Sequence, residues 1–129
     1  MKSPSPYRRY KRAMEYLITC GILDWIRQKE RSNFLLAYNN LAWIYGTSPN
    51  ASLRNGDEAV ALATKACELT NFKNPEMLDT FAAAYAEMGK FEKAVEYQQK
   101  AIALAPSPMK KDFQTHLQFY EKSYPCRDQ

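Results

Sequence analysis

The chain contains two segments that repeat one another, and this repetition constrains the fold more than any single residue does. A shift of 40 positions aligns the motif L-A-x-x-Y that begins at Leu41 with F-A-x-x-Y at Phe81. A shift of 35 positions aligns a later stretch that begins at Ala59 with one that begins at Ala94. The two shifts predict two helix-turn-helix units, the first with five extra residues in its turn. Repeats of about 30 to 40 residues usually form stacked structural units, in which no single unit buries its apolar face and neighbouring units share one core.

Length and composition predict one soluble domain. The chain has 129 residues, of which 46% are hydrophobic and 25% charged, as in ordinary globular proteins. No apolar run approaches the about 20 residues that cross a bilayer. The most hydrophobic window, residues 13–26, contains Glu15 and Asp24, and no small-residue cleavage site follows the basic start. These features predict a cytoplasmic protein without a membrane segment.

Apolar spacing and helix-end residues predict six helices and no sheet. After a flexible start over residues 1–5, a leading helix is expected within 6–31, although Gly21 could break it. Asn33 and Asn74-Pro75 are typical helix starts, and Gly89 is a typical helix end. Within a single domain over 6–129, the predicted units are repeat 1 at 34–70, repeat 2 at 75–106 and a last helix at 107–124.

The second unit resembles a tetratricopeptide repeat, whose pattern is W-x₂-L-G-x₂-Y, A-x₃-F and P. The matching residues here are Leu78, Phe81, Ala82, Tyr85, Gly89, Ala94, Gln98, Ala101 and Pro106. Where the family has tryptophan, the two units have Tyr38 and Leu78, and where it has a later aromatic residue they have Ala63 and Gln98.

The resemblance implies an all-α array of helical hairpins, an α-solenoid of about six helices. Its C-terminal helix would cap the apolar end of the stack. The leading helix is either a degenerate half repeat or a simple cover helix. The first unit also resembles a form that is common near the C-termini of larger bacterial repeat proteins.

The same resemblance implies a concave groove, lined by the first helix of each unit, that binds a protein, as an extended peptide or a helix. The groove residues it indicates are Asn39, Trp43, Asp79, Ala83 and Glu87. Their acidic members favour a partner with basic and apolar side chains. The alternatives are that Trp43 is core and that the carboxylates belong to a solvated helix face.

Two other binding modes stay open. Arg8, Arg9, Lys11 and Arg12 form a basic patch for nucleic acid or another anionic surface, although the rest of the chain, with 13 basic and 14 acidic residues, is neutral and disfavours nucleic acid. Self-association through the leading helix would join two short arrays into a homodimer.

Catalytic, cofactor and metal sites are not predicted. The only histidine, His116, has no cysteine or paired carboxylate near it in sequence. Cys20, Cys67 and Cys126 lack metal-ligand spacing, and no glycine-rich phosphate loop occurs. The tetratricopeptide resemblance implies an adaptor or assembly scaffold, and the lack of these motifs predicts that it has no chemistry of its own.

Overall fold

A computed structural model describes residues 35–128, and this part of the chain is helical without strands. The helices are α1 (Leu35–Thr47), α2 (Gly56–Leu69), α3 (Pro75–Glu87), α4 (Phe91–Leu104) and α5 (Ser107–Glu121), with a 3₁₀ turn at Ala51–Leu53. The predicted leading helix, the flexible start and the basic patch lie outside these residues, so five of the six predicted helices are described. None of these five is long and apolar enough to span a bilayer.

The helix bounds follow the two sequence shifts. The first helices of the units, α1 and α3, have 13 residues each and begin 40 positions apart. The second helices, α2 and α4, have 14 residues each and begin 35 positions apart. The difference lies in the α1–α2 connection, which is five residues longer than the α3–α4 connection and contains the 3₁₀ turn.

Side chains and backbone geometry at the helix ends explain these bounds. The Asn74 side chain accepts hydrogen bonds from the N–H groups of Glu76 and Met77, at 2.9 and 3.3 Å. Gly89 ends α3 at φ 77°, a left-handed conformation that glycine adopts without a side-chain clash. Asn55 caps α2 by accepting a hydrogen bond from Glu58 N–H at 3.2 Å, so that helix begins at Gly56.

Alanine lets the helices approach closely. Each helix packs on the next along the chain, and α1 also lies beside α3. The repeated pairs Ala59 and Ala66, and Ala94 and Ala101, are completely buried. A larger side chain at these positions would push the helices apart, because protein interiors leave no room for extra methylene groups.

Replacing Ala101 with leucine is expected to lower the free energy of unfolding by about 1–3 kcal/mol or more, since the added carbons have no space. Ala103→Leu is the matched control, because Ala103 is exposed in the same helix. Urea denaturation followed by circular dichroism measures both changes. Equal midpoints for the two variants would contradict close packing at Ala101.

The chain turns back after α5. Phe113 and Tyr120 bury one side of this helix, which ends at Glu121 and not at the predicted residue 124. Ser123 adopts φ 61°, and Tyr124 N–H donates to Phe119 O at 2.8 Å, so the backbone reverses direction. Residues 124–128, hereafter the return segment, then run to the end of α1.

Candidate partner-binding site

Helices α1, α3 and α5 contribute side chains to one surface, which the return segment covers. We call this surface the inner face and define it by Trp43, Gly46, Ala83, Glu87 and Tyr120. Its apolar members form a cluster with Cys126 of the return segment. The exposed fractions of Trp43, Ala83 and Cys126 are 5%, 1% and 3%, so the chain itself buries the face.

One edge of the inner face is a cation site. The Arg127 guanidinium lies 2.7 Å from the Glu87 carboxylate, and its other terminal nitrogen donates to Gly46 O at 3.4 Å. The Asp128 N–H donates to Thr47 O at 2.9 Å. Gly46 and Thr47 are the last residues of α1, where carbonyl groups lack partners within the helix and the helix dipole is negative. Carboxylate and helix end therefore attract positive charge together.

The inserted turn supplies a second cation to this edge. Arg54 lies 3.7 Å from Glu87 and donates to Ser48 O at 2.9 Å. Arg54 is nearest to Oε2 of Glu87, whereas Arg127 contacts Oε1, so the two cations engage different oxygens of the same carboxylate. The five extra residues of the first unit thus help to position the acidic group.

A polar network lies under the other edge. Asp79 of α3 accepts a hydrogen bond from Gln98 Nε2 at 2.9 Å, and its Oδ1 is 2.8 Å from His116 Nδ1. Gln98 is completely buried and also donates to Phe113 O at 2.9 Å. The Trp43 and His116 rings are 5.6 Å apart between centroids. This network ties α3, α4 and α5 together beneath the inner face.

The network keeps the single histidine protonated. Burial by itself would lower the pKa of His116, but the charge and hydrogen bond of Asp79, with smaller contributions from Cys126, raise that pKa to about 11. Burial, followed by electrostatic interactions with Cys126 and Asp79, raises the pKa of Tyr120 well above its ordinary value. His116 is therefore a partly buried imidazolium at neutral pH, stabilised by a carboxylate.

Asp79, His116 and Cys126 stand in the order carboxylate, imidazole, thiol that nucleophilic thiol enzymes use. Cys126 is only 3% exposed and lies on the return segment, so no reactant reaches its sulfur in this conformation. Cys67 is unreactive for a different reason: burial, with the nearby Glu68, raises its pKa to about 12. Among residues 35–128, no three histidine, cysteine or acidic side chains are grouped to hold a metal ion.

The predicted groove residues have different environments. Trp43 and Ala83 belong to the apolar cluster of the inner face, and Glu87 belongs to the cation site. Asp79 is 7% exposed and engaged in the network, while Asn39 is 1% exposed with no described contact to the return segment. The basic patch lies outside the described residues.

Sequence reasoning missed the residues that complete the site. Arg127, Arg54, His116, Gln98 and Cys126 come from the return segment, the inserted turn, α5 and α4. Only Gln98 gave a signal, since it stands where the repeat pattern has an aromatic residue. Nothing in the local sequence of Arg127 indicates its contact with Glu87.

Residues 75–108, which comprise α3, α4 and the start of α5, match the family model of the tetratricopeptide repeat. A search of curated proteins and a search of solved structures each found no match. The family match supports a tetratricopeptide-like repeat in an all-helical fold. Such repeats in general form protein–protein interaction modules, typically without enzymatic activity.

Proposed function

We propose that this chain is an adaptor or assembly module that binds an extended segment of a partner protein along the inner face. The observation that carries the proposal is the return segment, a stretch of peptide held on this face through its backbone, a charged side chain and a buried small side chain. A surface that accommodates one peptide by these three kinds of contact has the chemistry to accommodate another.

Of the candidate groove residues, Glu87 is the best suited to contact a partner directly. Its side chain is 17% exposed and ends at the cation site, where a partner's basic group would bind. Trp43 and Ala83 would form the apolar floor once the return segment leaves. Asp79 supports the floor indirectly through His116, and Asn39 extends the face along α1.

Partner capture tests this proposal. The full chain is used to recover proteins from nuclease-treated lysate, next to Glu87→Lys and to the matched control Glu96→Lys, which makes the same charge change on an exposed site of α4. We expect a protein recovered by the wild type and by Glu96→Lys to be lost from Glu87→Lys. Since residue 87 is at a helix end and partly exposed, circular dichroism should show all three chains folded.

Equal capture by the wild type and the folded Glu87→Lys variant would contradict binding at the inner face. The basic patch of residues 8–12 or homodimer formation would then be favoured. Loss of capture after the four basic residues are replaced by glutamine, together with strong salt dependence, would indicate the patch. Light scattering distinguishes a homodimer from a monomer.

A further inference from the structure

The cation site is built for arginine. One terminal nitrogen of Arg127 meets the Glu87 carboxylate at 2.7 Å while the other faces Gly46 O at 3.4 Å and Cys126 O at 3.0 Å. A planar guanidinium spans acceptors in different directions, whereas a lysine ammonium presents a single point of charge. The spacing of these acceptors therefore favours arginine over lysine.

The position before the arginine accepts only a small side chain. Cys126 is 3% exposed within the cluster that contains Trp43, Ala83 and Tyr120. Ala82, Ala83 and Ala86 of α3 belong to the same cluster, and each is at most 1% exposed. Because Cys126 is almost completely buried among these residues, a larger side chain than cysteine would lift the segment away from the face.

We infer that the inner face selects an extended partner segment in which a small side chain is followed by arginine, and that residues 124–128 are the intramolecular competitor that this partner displaces. The inference rests on the proposed function, because it names the ligand chemistry and the regulation of that same site. The return segment therefore indicates which sequence the site binds, and it also competes with the partner for that site.

Covalent connection to the domain explains how so short a segment can occupy the site. A segment joined to its site by a short connection has an effective concentration of about millimolar, so few contacts are enough. The contacts at its end are also easily exchanged, since the Arg127 side chain is 32% exposed. A partner that offers the same arginine with additional contacts replaces it without unfolding the helices.

Binding of a synthetic peptide to the full chain tests the competition. The probe is the fluorescently labelled sequence KSYPSRD, which copies residues 122–128 with serine in place of Cys126. If the site is free of the return segment in about 10% of wild-type molecules, the apparent affinity for the peptide is reduced about tenfold. Arg127→Ala releases the segment, so we expect this variant to bind the peptide about tenfold more tightly than the wild type. Matched peptides with lysine or glutamate in place of the arginine should bind progressively more weakly.

Equal peptide affinity of the wild type and Arg127→Ala would overturn the competition, as would failure of the peptide to bind either chain. Binding that is insensitive to the arginine-to-glutamate change would overturn the ligand chemistry. Adding Glu87→Gln to Arg127→Ala should abolish binding, because the cation site then lacks its carboxylate.

Reactivity of the Cys126 thiol measures release independently. With Cys20→Ser as background, Cys67 is the slow internal reference, because it is completely buried. We expect a thiol reagent such as DTNB to modify one thiol faster in Arg127→Ala than in the wild type, and the unlabelled peptide to accelerate this reaction in the wild type. Unchanged rates in both comparisons would overturn displacement of the return segment.

The proposed function and this inference fail in different ways. Partner capture that survives Glu87→Lys defeats the proposed function, and the inference with it. Capture that requires Glu87 but is unchanged by Arg127→Ala leaves the binding module intact and defeats only the competition. Where both hold, the two substitutions change capture in opposite directions, Glu87→Lys decreasing it and Arg127→Ala increasing it.

Discussion

Replacing Asp79 with alanine should destabilise the fold by up to about 3–5 kcal/mol, the range for removing one partner of a buried ion pair. The carboxylate lies 2.8 Å from the His116 ring nitrogen and 2.9 Å from the Gln98 amide, so its removal abolishes the ion pair and leaves one buried N–H of Gln98 without an acceptor. Urea denaturation at neutral pH, with the free energy of unfolding extrapolated to water, measures the effect.

Two comparisons distinguish destabilisation caused by breaking the network from destabilisation caused by removing a negative charge. Asp112→Ala removes an exposed carboxylate from α5 and should leave the denaturation midpoint unchanged. A double-mutant cycle with His116→Ala should give a large coupling energy, because each single variant already breaks the same contact. Additive effects of Asp79→Ala and His116→Ala would show that the pair is not coupled.

The second large effect is a loss of stability at alkaline pH. The pKa of His116 is about 11 in the folded chain and close to 6.5 in the unfolded chain, so the folded state binds this proton more tightly. Its contribution to the free energy of unfolding is fully present below pH 6.5 and is lost as the pH rises toward about 11. Within that window, the slope from this group is about 1.4 kcal/mol per pH unit.

The pH dependence is measured as a difference between two chains. His116→Gln cannot titrate, so the free energy of unfolding of the wild type minus that of His116→Gln should fall from pH 6.5 to 10. Because the chain contains one histidine, its ring resonances in NMR are assigned without ambiguity. A ring that titrates near pH 6.5 in the folded protein would contradict the buried ion pair.

This network also changes how the inner face should be tested. A charge reversal at Asp79 would be a poor test of groove binding, although the resemblance places this acid in the groove. In the structure, Asp79 supports His116 and Gln98 beneath the face, so its substitution would reduce binding by destabilising the helices. Glu87 and Arg127 are partly exposed, so substituting either residue changes the binding surface and destabilises the fold less.

Sequence patterns predicted the helices well because helix bounds depend on neighbouring residues. The Asn74-Pro75 start and the Gly89 end act within one turn of the backbone and could be read directly. The five-residue difference between the two shifts located the extra turn between α1 and α2. The end of α5, predicted at residue 124, was less accurate, because the left-handed Ser123 turns the chain first.

By itself, the sequence determined the class of fold: two helix-turn-helix units with alanine at their contacts, in the order that the repeats dictate. Those features are periodic and local, so each copy supports the interpretation of the other. Only the tertiary structure decided what the inner face contacts. His116 is 37 residues from Asp79, and Arg127 is 81 residues from Gly46, and such distant residues meet only through the stacking of the helices and the reversal after α5. The stacking and the reversal together place the return segment on the inner face.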